Sequence, residues 1–260
     1  MIELDASSVL LQWATGGLFF GWVTTRRRIV GLGYGWLIRS SYAVLALLAF
    51  LIGLRFGFVP GRDLAALGVF VLAVAALVQS VRYRAAGTGA DASPHETTFD
   101  PRWDLAAPLV GLIGLVVAGI EAGDPLWLSV ARMVVGAAFL GAVSDSMLLG
   151  HWYLVQPGMS RAPLVELVKW TGVLWLPEVV LFFVPTGMWS VWTGAIDDGY
   201  AGMLGWFWGA CVVTTIGLVG VTLAALREKQ YSAVMAATGL LYLAILTGFG
   251  IDLVARATLS

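Results

Sequence analysis

Cysteine, histidine and lysine are nearly missing from this chain. Cys211 stands alone among 260 residues, which excludes an intrachain disulfide, a thiolate iron–sulfur centre and CxxCH haem attachment. The histidines are His95 and His151, and the lysines are Lys169 and Lys229. A bis-histidine haem would have to recruit His95 from a polar stretch, so haem is not expected. HExxH, GxSxG and clustered His, Cys and Asp ligands are absent too, leaving no catalytic or metal motif. The start, MIELDASS, lacks the basic region of a cleaved signal peptide, so the first apolar segment is expected to stay in place.

Charge is also scarce. Asp, Glu, Lys and Arg make up 12% of the residues, against roughly 25% in a soluble domain. Hydrophobic residues fill 59% of the positions and the mean hydropathy is +0.87. Continuous apolar runs recur along the chain, several beyond the roughly 18 residues that mark a membrane-spanning helix. They do not alternate in and out, which rejects a β-barrel. The expected fold is an all-α, polytopic membrane bundle in contact with the lipid of a cell membrane. No nucleic-acid partner is expected.

Eight spans are read from apolar length and flanking turn signals, at roughly 8–24, 41–59, 64–82, 105–121, 126–150, 164–185, 201–226 and 231–255. The polar stretch 83–104, which holds His95, divides them into a three-span part (1–82) and a five-span part (105–260). Arg26, Arg27, Arg28, Arg39, Arg82, Arg84, Arg102, Arg161, Arg227 and Lys229 fall on one side of this alternation, and Arg55, Arg62 and Arg256 on the other. The positive-inside rule makes the first side, and the linker, cytoplasmic and puts both termini on the other side. GLGYG at 31–35 has no preceding strand and no Lys-Ser/Thr, so it reads as a flexible turn rather than a phosphate loop. Trp103, Trp127, Trp152, Trp189 and Trp192 fall near span ends, as an interfacial belt requires. TGMWSVWTGAIDDGY is expected along the outer surface. No internal repeat is evident.

Four ionisable residues lie well inside predicted spans: Arg132 and Asp145 in the fifth, Lys169 and Glu178 in the sixth. A charge at mid-bilayer costs on the order of 2.5–3.5 kcal/mol and normally finds a partner. At about 1.5 Å per residue, Arg132 and Glu178 share one depth and Asp145 and Lys169 another. Adjacent antiparallel helices then suggest the pairs Arg132–Glu178 and Asp145–Lys169. Pro177 beside Glu178 and Ser144 and Ser146 beside Asp145 keep a functional role open, since buried carboxyls can relay protons or bind cations.

His151, Trp152 and Tyr153 close the fifth span, and Arg161 follows in the turn to the sixth. A histidine among aromatic rings could hold a quinone headgroup, although His151 and Asp145, six residues apart, lie about 240° apart around the helix. Three functions follow from these features. The first is a membrane subunit of a larger complex, respiratory or redox, with partner subunits and a quinone site at the end of the fifth helix. The second is an ion- or proton-coupled secondary transporter using Asp145 and Glu178. The third is a lipid-modifying enzyme with His151 as general base and Arg161 on a phosphate.

Overall fold

A computed structural model of the chain describes residues 4–86, 100–123, 125–183 and 187–259. His95, Glu3 and Asp124 lie outside the described residues. Eight long helices occur among those described: α1 (Ala6–Thr25), α2 (Leu32–Phe56), α3 (Pro60–Ala86), α4 (Ala106–Glu121), α5 (Leu126–Val155), α6 (Ala162–Phe183), α8 (Met203–Ala225) and α9 (Tyr231–Thr258). A 3₁₀ turn, Pro101–Leu105, leads into α4, and the short helix α7 (Met188–Trp192) precedes α8. The described residues contain no strand. Six helical stretches, from α2, α3, α4 with its 3₁₀ turn, α5, α8 and α9, are long and apolar enough to cross a membrane. The protein is a polytopic, all-helical membrane bundle.

The two remaining long helices fall short for different reasons. Most of α1 is buried among its neighbours, and Ser7, Ser8, Gln12, Thr15 and Thr24 on its buried faces lower its hydropathy. Helix α6 carries Glu166, Lys169 and Glu178.

Helices α1 to α4 close on one another as one four-helix group: α1 packs on α2, α2 on α3, α3 on α4 and α4 on α1. Helices α5, α6, α8 and α9 close in the same way. The two groups meet chiefly through α1 against α5, with α4 also on α5. The division expected at 83–104 is therefore not the packing division. Helix α3 continues to Ala86, and α4 belongs with the helices before it.

Glycine sets the distance between α1 and α5. A Cβ on Gly16 would overlap the Ala137 carbonyl, and one on Gly141 would overlap the Gly16 backbone. In lipid such close approach replaces the hydrophobic drive that is missing between apolar helices.

Two local expectations change. GLGYG is not a free turn: Gly31 is the N-cap of α2, and residues 32–35 form its first turn. Tyr34 is fully buried there, its ring facing Trp152, and that packing overrides the poor helix propensity of glycine. Helix α5 also runs five residues past its expected end, so His151, Trp152 and Tyr153 are helical. Trp103, Trp127, Trp189 and Trp192 are exposed near helix ends, whereas Trp152 is half-buried.

Candidate functional site

Helix α6 presents one narrow stripe to the interior: Leu164, Leu167, Val168, Thr171, Glu178 and Phe182. Residues 164, 171 and 178 are successive heptad positions, which stay on one face of a helix. Glu178 therefore points into the bundle, at the end where both termini lie. Three other ionisable side chains reach it from two helices, Arg132 of α5 and Asp252 and Arg256 of α9, and Gln12 of α1 joins them beside Gly136. Glu178, Asp252, Arg256 and Gln12 are fully buried and Arg132 nearly so.

This cluster is only partly satisfied. Arg256 Nε donates to Asp252 Oδ2 at 2.8 Å, one helical turn away. Arg132 Nε donates to the Leu181 carbonyl at 2.8 Å, an acceptor left open by the end of α6. Gln12 Nε2 donates to the Met133 carbonyl at 2.9 Å. Both guanidinium groups lie over the Phe182 ring, at 5.3 Å for Arg132 and 5.7 Å for Arg256. Yet six buried polar atoms have no partner among the described residues: Gln12 Oε1, Arg132 Nη2, both oxygens of Glu178, Asp252 Oδ1 and Arg256 Nη2. A buried polar atom without a partner costs on the order of 1–3 kcal/mol, so six in one place mark a locus that something else completes. Glu178 faces the Asp252 carboxyl, with Arg256 and Arg132 beside it.

Gly136 makes the room. A Cβ there would stand 2.7 Å from Gln12 Nε2, 3.0 Å from Asp252 Oδ1 and 3.5 Å from Arg256 Nη2. A cavity of about 460 Å³ opens at the same end of the bundle, with Asp5, Phe58, Arg62 and Glu121 around it, and it reaches Met133. The Met133 carbonyl holds Gln12, and its sulfur lies 3.6 Å from Arg256 Nη1. One side chain thus stands between the open cavity and the cluster.

The second carboxyl lies towards the arginine-rich end. Asp145 is fully buried and accepts the Tyr42 hydroxyl at 2.5 Å through Oδ1. Its Oδ2 has no partner, nor does the Tyr34 hydroxyl. The neighbouring serines are tied to other helices: Ser144 accepts from Trp13 Nε1 at 2.8 Å, and Ser146 lies 3.2 Å from the Thr171 hydroxyl. Gly21 of α1 lies beside this carboxyl: a Cβ there would overlap Ile38 Cγ2 at 2.5 Å and stand 3.7 Å from Asp145 Oδ2. Gly21 also lines a void of about 10 Å³ beside the buried Arg39–Asp104 ion pair, whose bonds are both 2.7 Å. Between the two carboxyl levels α5 presents Phe139, Leu140, Ala142 and Val143, all fully buried. Arg132 and Asp145, thirteen residues apart, are separated by about 20 Å along the helix.

The expected ion pairs do not form. Asp145 turns towards Tyr42 on α2, while Lys169 is exposed on the opposite side of α6 from Thr171. Arg132 sits near Glu178 without a direct ion pair to it among the described residues, and its Nε donates to the Leu181 carbonyl. Glu178 finds Asp252 and Arg256 instead, two residues that the sequence reading did not connect with it. Their signal was an acid and a base one turn apart, at 252 and 256, at the end of a predicted span.

The residues of the expected quinone turn separate. His151 is exposed, with Nδ1 3.1 Å from the Tyr242 hydroxyl. Trp152 packs on Gly33 and Tyr34 and donates to Gln156 Oε1 at 3.2 Å. Tyr153 donates to the Ser160 carbonyl. Arg161 is spent on the loop between α8 and α9, donating to the carbonyls of Glu228, Lys229 (2.9 Å) and Gln230 (3.0 Å). That commitment removes it from a phosphate-binding role beside His151. Among the described residues no group of three His, Cys, Asp or Glu side chains could hold a metal ion. No family model, curated protein or solved structure matches the chain.

Proposed function

We propose that the protein is a proton-coupled secondary transporter of a cell membrane, with Glu178 and Asp145 as its proton-exchange sites. One observation carries the reading: both oxygens of the buried Glu178 lack a donor while a second carboxyl, Asp252, faces them. Two carboxylates at close range favour sharing a proton, and the two guanidinium groups beside them compensate their charge when no proton is held. A proton shared by Glu178 and Asp252 uses atoms that are otherwise orphaned. Arg132 and Arg256 hold the negative charge when the proton leaves. Asp145 repeats the motif nearer the other end, with one oxygen bound to Tyr42 and one open. The apolar layer around Phe139 and Leu140 separates the two exchange levels and prevents a simple proton leak.

Reconstitution in liposomes that trap a pH-sensitive dye tests this, with panels of small organic acids, bases and zwitterions added outside. The expected result is solute-dependent proton movement, reduced at least about tenfold in Glu178→Gln and in Asp145→Asn, a loss of 1.4 kcal/mol or more in the coupled step. Undiminished movement in Glu178→Gln would overturn the assignment.

A second reading, a membrane subunit with a quinone site, is favoured by one feature: the exposed His151–Tyr242 pair at the end of α5. Partner subunits retained after mild solubilisation, together with a bound quinone lost in His151→Ala, would support it over the carrier.

A further inference from the structure

We propose that an anionic phospholipid docks in the groove between the α1–α2 loop and the exposed face of α6. The groove, about 490 Å³, is lined by Arg27, Val165, Glu166, Lys169, Trp170 and Val173 among others. Its polarity is ordered along the membrane normal. Arg26 and Arg27 stand at the arginine-rich end, both bound to Glu166, at 2.6 Å and 3.0 Å. Lys169 lies seven residues into α6, about 10 Å below its start, and Val173 about 6 Å deeper. Below Lys169 the same face continues as Val173, Leu176 and Val180, all exposed.

Three cations against the one carboxylate of Glu166 leave a net charge of +2 at the rim. Lys169 makes no ion pair, and its long stem lets the ammonium rise towards the headgroups. Trp170, exposed on one side and edge-on to Phe20 at 6.2 Å, provides an aromatic wall at that level. A phosphate head above and acyl chains below reproduce this sequence of charge, aromatic ring and aliphatic surface. A soluble anion would leave the lower, aliphatic part of the groove unmatched.

Native mass spectrometry of the purified protein, with phosphatidylglycerol and phosphatidylcholine of identical acyl chains, tests the site. Retention of phosphatidylglycerol over phosphatidylcholine is expected, cut about fivefold by Lys169→Gln and restored by Lys169→Arg, since one basic group near a headgroup contributes about that factor. Lys169 is exposed and makes no hydrogen bond or ion pair among the described residues, so the substitution leaves the unfolding temperature in lipid-free detergent unchanged. Equal retention of the two lipids, retention untouched by Lys169→Gln, or full competition by inorganic phosphate would each overturn the proposal.

Discussion

Gly136 and Asp198 illustrate two ways in which one residue governs its surroundings. At Gly136 a methyl group would press on Gln12 and Asp252, at 2.7 and 3.0 Å, where every neighbour is buried and charged or polar. Gly136→Ala should cost about 1–3 kcal/mol by overpacking, read as a lower unfolding temperature in detergent. Asp198 lies in the half-exposed loop before α8. Its Oδ1 accepts from the amides of Tyr200 and Gly202, and Oδ2 from Leu204 at 2.9 Å. Partial loss of hydration pushes its carboxyl up, but these amide bonds outweigh it and hold the group below the ordinary aspartate range. A carboxyl lowered in the folded state stabilises it above roughly pH 4 and loses that effect as pH falls further. Asp198→Asn, or acidification with rates taken relative to the intrinsic rate at each pH, should therefore lower amide protection in the first turn of α8, while protection in α5 stays unchanged. Arg132, Asp145, Lys169 and Glu178 were legible as residues but not as pairs, and Lys169 is exposed. Lys169 and Glu178 are nine residues apart, about 180° around a helix, so both could not face α5. Depth was counted along the axis and angle was not.

At the scale of helices, the one weakest in apolar signal, α1, turns out to lie between the two groups. A helix surrounded by protein needs small surfaces and a few polar contacts rather than high hydropathy, which is why hydrophobic length ranked it low. Its glycines make opposite predictions from glycines elsewhere. Gly16→Ala drives a methyl into the Ala137 carbonyl and should separate α1 from α5, lowering the unfolding temperature. Gly217 and Gly239 have open space around them, so alanine there should be neutral or raise stability by up to about 1 kcal/mol. Thermal unfolding of the three variants side by side in one detergent distinguishes a packing glycine from an incidental one. The ends of α2 and α5 were misjudged for a related reason. Tyr34 and Tyr153 are buried by tertiary contacts that a local hydropathy window does not contain.

For the whole molecule, the membrane class followed from composition and run length alone, since nothing else accommodates so many uninterrupted apolar stretches. The grouping into four and four helices did not, because packing depends on which faces meet and the long polar segment draws attention to the wrong boundary. Eight long antiparallel helices return the chain to its starting side, and the ion pair from Arg62 to Asp5 at 2.5 Å ties the start of α3 to the start of α1 there. By the positive-inside rule we propose that the arginine-rich loops face the cytoplasm. Alkaline phosphatase fused after the last residue should be active, and the same enzyme inserted in the loop at 26–31 inactive; the reverse pattern would invert every assignment of side.

The contact of Gly16 with Ala137 and Gly141 bears on motion as well as on packing. Where two backbones touch with no side chain between them, there are no rotamers to exchange and no knobs to lift out of holes. The two halves of the bundle thus meet at mid-height through bare backbone, so a tilt of one over the other at this point would need no rotamer exchange.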